Sequence, residues 1–430
     1  MSDSSPSISL ASVPRSSWNA LILLLLINLV NYMDRYVLAA IEPLLSADLL
    51  KDDPNAGSKM GALATGFLVA YMVSAPIFGM IADRWRRWGI VGLGVLLWSL
   101  ATAGCGLASG FVMLAMMRLC VGVGEGGYGP VAPTLIADLF PVSRRGLAMS
   151  IFYIAIPVGS AIGYAVGGEL GTRYGWREAF FAVAVPGLIL GMLAIFKKDP
   201  PRVEAKASVG KKDTLNHLRL LVRNPAYLFA VAGMTLMTFA VGGMSFWAPR
   251  YLAEERGAGT LKEVNWTFGL IMVITGLTAT VSGGWVADRL RKKFRGAYLL
   301  VSGVSMLIAF PLTIAMLYVP FPACWIVIAL ALFFLFFNTG PSNTVIANVT
   351  SPAVRTTAFA MSILTIHALG DAISPLVIGR LKDLSGGKLS PGFMLVAMTV
   401  LISGVVWTIG TKSVAKAEDA ANLGANGGAN

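Results

Sequence analysis

Twelve stretches of about 20 mostly apolar residues, the length a helix needs to cross a hydrocarbon core, recur along this chain. They lie near 18–40, 61–82, 89–108, 111–136, 146–169, 177–196, 226–250, 266–287, 297–318, 322–347, 356–379 and 391–411. In lipid, such segments satisfy their backbone polar groups only as helices. Composition agrees, because only 13% of the 430 residues are charged, about half the share of an ordinary soluble domain. Many of the 47 glycines fall inside the apolar stretches, as close packing of membrane helices favours. The chain is expected to be an all-α membrane protein with twelve transmembrane helices. Soluble, coiled-coil, collagen-like and disordered classes are excluded.

The longest polar interruption, 197–225, divides the spans six and six. The expected organisation is an N-terminal segment over 1–17, a six-helix bundle over 18–196, a linker over 197–225, a second bundle over 226–411, and a tail over 412–430. That tail is rich in Ala, Gly and Asn and is expected to be disordered. In the linker, Leu215, Leu218, Leu221 and Val222 recur at helical spacing among Lys211, Lys212, Arg219 and Arg223. This pattern predicts an amphipathic helix on the membrane surface that connects the two bundles.

Basic residues alternate between the two faces. Twenty-two lie on the face of both termini and the linker, ten lie on the other, and Arg35 and Arg118 lie inside spans. The excess of lysine and arginine places both termini and the linker in the cytoplasm. The formal charge of +12 is explained in the same way, and no nucleic-acid partner is expected. Cys105, Cys120 and Cys324 all sit in apolar stretches, without metal-ligand or disulfide spacing. No H-E-x-x-H, P-loop or C-x-x-C motif is present, and the run GVGEGG lies inside a span rather than between a strand and a helix. No enzyme activity, cofactor, metal or ATP-driven pumping is expected.

An internal repeat constrains the architecture further. Residues 79–87 read GMIADRWRR and residues 284–292 read GWVADRLRK, at a constant offset of 205. Gly79, Ala82, Asp83, Arg84 and Arg86 recur as Gly284, Ala287, Asp288, Arg289 and Arg291, and Arg87 becomes Lys292. Each copy follows the second span of its half. Two duplicated six-helix halves with a substrate path between them is the parallel-repeat plan of one large transporter class.

These loop copies and twelve spans resemble the major facilitator superfamily over nearly the whole chain. Within it, NYMDR (31–35), VGVGEGGYGPVAPTLIADLFP (121–141) and SIFYIAIPVGSAIGY (150–164) look like the Spinster family, of a bacterial type. The N-Y-x-D-R start and the Arg118/Glu125 pair are also similar to the organic-anion:proton symporters. The resemblance implies the major facilitator fold of two six-helix bundles and transport by alternating access. It also implies residence as a multi-pass protein of the plasma (bacterial inner) membrane. The implied substrate is an anionic amphipathic lipid such as a lysophospholipid or a sphingosine-phosphate-like molecule. A small organic-anion or sugar-acid:proton symporter is the alternative. The expected partners are the bilayer, this substrate and protons, and a monomer is expected.

Ionisable residues inside spans are costly and mark function by default. Asp34 and Arg35 lie in span 1, Arg118 and Glu125 in span 4, and His367 and Asp371 in span 11. Arg118 and Glu125 are seven apart and share a face, about 10 Å apart along the axis. With spans 1 and 4 facing the cavity, as the resemblance implies, Asp34, Arg118 and Glu125 are expected to form one cluster. Burial favours a neutral carboxyl group and arginine a charged one, and that competition makes a protonatable switch. Arg118 is therefore expected to bind the anionic head and to exchange it for Glu125 or Asp34, which couple protons. Arg35 points some 100° from Asp34 and pairs with another helix or with the substrate. Asn28 and Asn31 extend the face of Asp34 as a polar stripe along the substrate path.

His367 and Asp371 are an i, i+4 pair whose repeat equivalents are Ile162 and Val166, so they are not relics of duplication. In this superfamily span 11 packs beside span 2, and a gating role is expected for the pair, with a second proton site as the alternative. Asp83, Arg84, Asp288 and Arg289 resemble the superfamily's cytoplasmic latch, another gating group, with Arg87 in the same loop. Asp138, with Arg144 and Arg145, is expected to complete its first half. Gly159, Gly163 and Gly167 form a small-x-x-x-small run in span 5 and predict close packing.

Overall fold

The computed structural model describes residues 13–200, 211–351 and 354–427. Twelve long apolar helices cross the molecule. The first six are α1 (Arg15–Leu49), α2 (Ala56–Ala82), α3 (Arg87–Gly106), α4 (Phe111–Leu139), α5 (Arg144–Tyr174) and α6 (Trp176–Ile195). A linker helix, Lys211–Val222, follows. The second six are α7 (Pro225–Glu255), α8 (Leu261–Arg291), α9 (Ala297–Ala315), α10 (Cys324–Val349), α11 (Thr357–Leu384) and α12 (Ser390–Asp419). Large apolar side chains such as Val73, Val112, Ile189 and Val281 point outward, where hydrocarbon rather than water is their natural solvent.

Packing repeats between the halves as the sequence does. In the first half α1 lies along α5, α2 along α4 and α3 along α6. In the second, α7 lies along α11, α8 along α10 and α9 along α12. The halves meet through α1 with α7, α2 with α11 and α5 with α8. Repeat symmetry interconverts the last two pairings. The four helices α4, α5, α10 and α11 are each interrupted near the middle. In α4 the cause is local: Gly126, Gly127 and Gly129 lead into Pro130, which cannot donate a helical hydrogen bond. In α11 the interruption is one wide turn over His367–Asp371, closed by the Ala372 amide on the His367 carbonyl at 3.1 Å.

The glycine run of α5 packs against α1, within the first half rather than between halves. A Cβ on Gly163 would stand 2.7 Å from the Met33 carbonyl oxygen and 3.0 Å from the Tyr36 Cβ. Gly159 and Gly167 meet Leu29 and Ala40 in the same way. Because Met33 and Tyr36 bracket the charged pair of α1, this contact holds Asp34 and Arg35 in register. Gly163→Val is expected to lower stability by about 1–3 kcal/mol, the usual cost of overpacking. A thermal unfolding shift in detergent measures it; an unchanged midpoint would show that the contact is loose.

Two expectations about the ends of spans are corrected. Helix α1 does not stop near residue 40 but runs to Leu49, which brings Glu42 inside the fold as a fully buried residue. The tail over 412–430 does not begin as disordered chain, because the last helix continues to Gly427. Its sequence there is rich in alanine, the best helix former. Glu418 accepts a hydrogen bond from the Gly296 amide at 3.0 Å, and Asp419 pairs with Arg295 at 3.3 Å. Residues 428–430 lie outside the described residues. The linker helix docks on the second half: Leu221 is buried, and Asn224, just after it, donates to the Val349 carbonyl at 2.8 Å.

Candidate functional site

On α1, Asn28, Asn31 and Asp34 share one face, and all three are buried. Arg35, next in sequence, points elsewhere, and α4 answers each charge with its opposite. Arg118 Nη1 lies 3.2 Å from Asp34 Oδ1, and Arg35 Nη2 lies 2.6 Å from Glu125 Oε2. Thr102 on α3 donates its hydroxyl to the other oxygen of Asp34. The expected single cluster of Asp34, Arg118 and Glu125 is thus two separate ion pairs. Glu125 pairs with Arg35, not Arg118, because residues seven apart on α4 sit two turns apart and meet different residues of α1.

The two pairs differ in exposure, and that difference bears on ligand contact. Arg118 and Asp34 are 2% and 0% exposed, whereas the Arg35 side chain is 20% exposed. The Arg118 guanidinium also lies 5.0 Å from the Phe67 ring. Arg35 is flanked by the rings of Tyr32, Phe67 and Tyr71 at 5.1, 5.2 and 5.3 Å. Such rings favour a desolvated cation and shape the space around it.

Two adjoining cavities meet at Arg35, Tyr32 and His367. The larger, about 590 Å³, extends toward the linker face between α1, α2, α4, α5 and α11. Its wall includes Asn28, Asn31 and Glu125 and is otherwise mostly apolar, with Met72, Pro133, Phe152 and Ile363 among its residues. The smaller, about 200 Å³, lies beyond Arg35 and reaches Arg118, Phe246 and Asp371. Asn28 donates to the Phe152 carbonyl at 3.1 Å. Asn31 Nδ2 and Glu125 Oε1 are buried with no hydrogen-bond partner at the cavity wall.

His367 and Asp371 stand opposite Arg35 on the second half, 3.0 Å apart and both partly exposed. The wide turn of α11 aims them at the cavities, while the helix beyond them packs along α2. There the Thr65 hydroxyl donates to the Ala372 carbonyl at 2.5 Å. Asp383 accepts from the Gly57 and Ser58 amides at 2.8 and 2.7 Å, where the N-terminus of α2 favours an anion. The Tyr164 hydroxyl donates to the Ser245 carbonyl at 2.5 Å, and Asn265 donates to the Ala40 carbonyl at 3.1 Å. Both cross-half ion pairs found among the described residues, Glu42–Arg250 and Glu169–Lys262, also lie on the face opposite the linker. That face is closed, and the cavity opens toward the linker face.

At the linker face the expected latch residues are engaged within their own halves. Arg87 pairs with Asp138 at 2.6 Å, and Asp199 accepts from the Arg87 and Trp88 amides at 2.7 and 3.0 Å. Asp138 is therefore held by Arg87 rather than by Arg144 and Arg145, and Arg145 instead donates to the Ala137 carbonyl at 2.6 Å. Asp288 accepts from the Tyr298 hydroxyl at 2.7 Å, and Arg289 stacks 3.8 Å over the Trp285 ring. Asp83 and Arg84 border a groove with Trp85 at the ends of α2 and α3.

Several members of the site escape sequence reasoning. Thr102 looks like any threonine in an apolar span, and Tyr32, Phe67 and Tyr71 look like ordinary core. Glu42, Arg250 and Lys382 sit at the ends of apolar windows and read as loop charges.

The model for the Major Facilitator Superfamily matches residues 24–375. Protein spinster homolog 3 of Danio rerio is 33% identical over 389 residues, which cover 86% of this chain and 77% of that protein. The chain belongs to the Spinster branch of the major facilitator superfamily. The sphingosine-1-phosphate transporter SPNS2 of Danio rerio is 33% identical over 382 residues, 83% of this chain and 74% of that protein. Among solved structures, a bacterial homolog of the human lysosomal transporter Spinster, inward-facing and unoccupied, superposes with a TM-score of 0.80 at 22% identity. That match covers 95% of this chain and 99% of the other. For a Spinster-type transporter, the charged waist between two halves is where a substrate path is expected.

Proposed function

We propose that this Spinster-type protein is a proton-coupled secondary active transporter of an anionic amphipathic lipid, a lysophospholipid or a sphingosine-phosphate-like molecule. The observation that carries the reading is Arg35. It is a cation held among aromatic rings at the junction of a mostly apolar vestibule and a smaller chamber. An acyl chain suits the wall of Met72, Pro133, Phe152 and Ile363, and a phosphate or carboxylate head suits the guanidinium, with Asn28 and Asn31 beside it. The similarity to a sphingosine-1-phosphate transporter supports the substrate class. The alternative is a small organic-anion or sugar-acid:proton symporter, favoured by the charged residues His367, Asp371 and Glu125 on the same walls.

The cycle follows from the pairs. In the state with the linker face open, Arg35 holds Glu125, and Arg118 holds Asp34. An incoming anion competes with Glu125 for Arg35, and a displaced carboxylate in a low-dielectric wall takes up a proton. Asp34, buried beside Arg118 on the same waist, carries the second coupling role. Latch residues Asp83, Arg84, Arg87, Asp138, Asp288 and Arg289 close the linker face in the opposite state, with His367 and Asp371 gating the waist. With both termini and the linker cytoplasmic, the open face is the cytoplasmic one. The bacterial inner membrane and a monomeric state complete the proposal.

In proteoliposomes carrying a proton gradient, Glu125→Gln and Asp34→Asn are expected to abolish gradient-driven accumulation, with exchange at equal substrate concentrations retained in Glu125→Gln. Gradient-driven uptake at the wild-type rate in both variants would overturn the coupling assignment. A thermal-shift screen against lysolipids, sugar acids and organic anions decides the substrate class. Stabilisation by sugar acids alone would select the alternative.

A further inference from the structure

Two buried charged residues unused by this mechanism, Glu42 and Lys382, lie at the closed face. Glu42 sits on α1, two helical turns beyond Asp34, and is 0% exposed. One of its oxygens lies 2.8 Å from Arg250 Nη1 on α7, in the other half. Its second oxygen is buried without a hydrogen-bond partner. The facing charged groups all come from the second half. They are Arg250 and Glu254 on α7, and Lys382 on α11, itself only 7% exposed. Asp383 is adjacent but is already committed to the N-terminus of α2. From α8, Asn265 reaches the Ala40 carbonyl on the same turn of α1.

This arrangement is asymmetric with respect to opening. When the halves part at this face, Arg250 keeps a partner on its own helix, because Glu254 lies 2.8 Å from its Nε. Glu42 has no such substitute: both cations facing it, Arg250 and Lys382, leave with the second half. Only the charged form of Glu42 gains the pair with Arg250 in the closed face, so parting the halves costs the charged form more than the protonated one, and protonation favours opening. Among the described residues, Glu42 is also the first half's only contribution to this charge cluster. Neutralising it removes the attraction that ties α1 to α7 and α11.

We propose that Glu42 is a further proton-binding site of the transport cycle, at which a proton entering from the far face releases the cross-half tie to Arg250 and permits that face to open. Asp34 and Glu125 respond to the substrate, whereas Glu42 responds to the acidity of the compartment the far face looks into. The proposal rests on neither the substrate class nor the inner ion pairs, and its test reads distance rather than transport.

The test places nitroxide labels at Lys51→Cys and Lys388→Cys, exposed positions on the far-face loops of opposite halves. Cys120 is replaced by alanine, and the buried Cys105 and Cys324 are retained. Pulsed dipolar distances are recorded in lipid nanodiscs between pH 8 and pH 5. In the labelled parent, the long-distance, far-face-open population is expected to rise at least threefold on acidification. In Glu42→Gln that population is expected to be high and equal at both pH values. Glu42→Asp, which keeps a carboxyl group on a shorter arm, is expected to respond with a displaced midpoint. A parent without pH response, a Glu42→Gln variant that still follows the parent's pH profile, or a Glu42→Asp variant with an unmoved midpoint each overturns the proposal. Should Glu42→Gln fail to fold, the parent series and Glu42→Asp decide the question.

Discussion

Arg118→Ala is expected to be the most damaging single change in the first half. It leaves Asp34, fully buried and also held by Thr102, facing a hole where a cation stood. Removing one partner of a buried pair costs about 3–5 kcal/mol, so loss of folded protein on purification, or a fall in the unfolding midpoint of many degrees, is expected. The double variant Asp34→Asn/Arg118→Gln replaces the pair by neutral groups that can still hydrogen-bond. It is expected to recover most of the stability while remaining inactive in gradient-driven uptake. Thermal unfolding of the two single variants and the double variant, combined as a cycle, measures the coupling. Additive losses would show that the two side chains do not depend on each other. A strong coupling would assign Arg118 the positioning task of holding α1 to α4, in place of the head-group contact expected from the sequence.

Arg35→Gln carries the second large effect, and on a different quantity. Its guanidinium is the exposed member of the two pairs and lines both cavities. Hydrogen bonds to a charged group contribute about 1.5–3 kcal/mol, so substrate affinity is expected to fall roughly 10–100-fold. Arg35→Lys keeps the charge but loses the planar fork and is expected to fall between the two. Because Arg35→Gln also frees Glu125, a stability loss could be mistaken for a binding loss. The double variant Arg35→Gln/Glu125→Gln removes that ambiguity, since it restores stability but not affinity. Fluorescence or thermal-shift titration with the stabilising lysolipid measures the effect; affinity at the parent value in the double variant would move the head group elsewhere.

The two experiments separate roles that the sequence merges. From a helical count that places Arg118 and Glu125 on one face of α4, together with the cavity-facing spans 1 and 4 that the resemblance implies, Asp34, Arg118 and Glu125 are expected to form one group. What the count omits is that the same face passes two different residues of α1. Asp34 and Arg35 are consecutive, so they point in different directions, and the long arms of Arg118 and Arg35 span the difference in height to reach Asp34 and Glu125. The glycine run of α5 shows the same division. Its spacing announces close packing, but only the fold shows that α1 is the helix it grips, through Met33 and Tyr36.

Membrane physics makes some conclusions readable from the chain alone. Apolar windows of helix length determine twelve spans, the duplicated G-x-x-x-D-R loop determines two related halves, and the expense of charge in hydrocarbon singles out Asp34, Arg35, Arg118, Glu125, His367 and Asp371. Those signals are local, which is why one sequence carries them. Pairing is not local. The assignment of Glu125 to Arg35, of Asp138 to Arg87 and of Asp34 to Arg118 and Thr102 depends on the height and rotation of separate helices. Glu42 is the clearest case: a charge ends a hydropathy window, so the sequence places it outside the membrane. Only the approach of Arg250 and Lys382 from the other half, which a long continuous α1 makes possible, turns it into a buried group with a task.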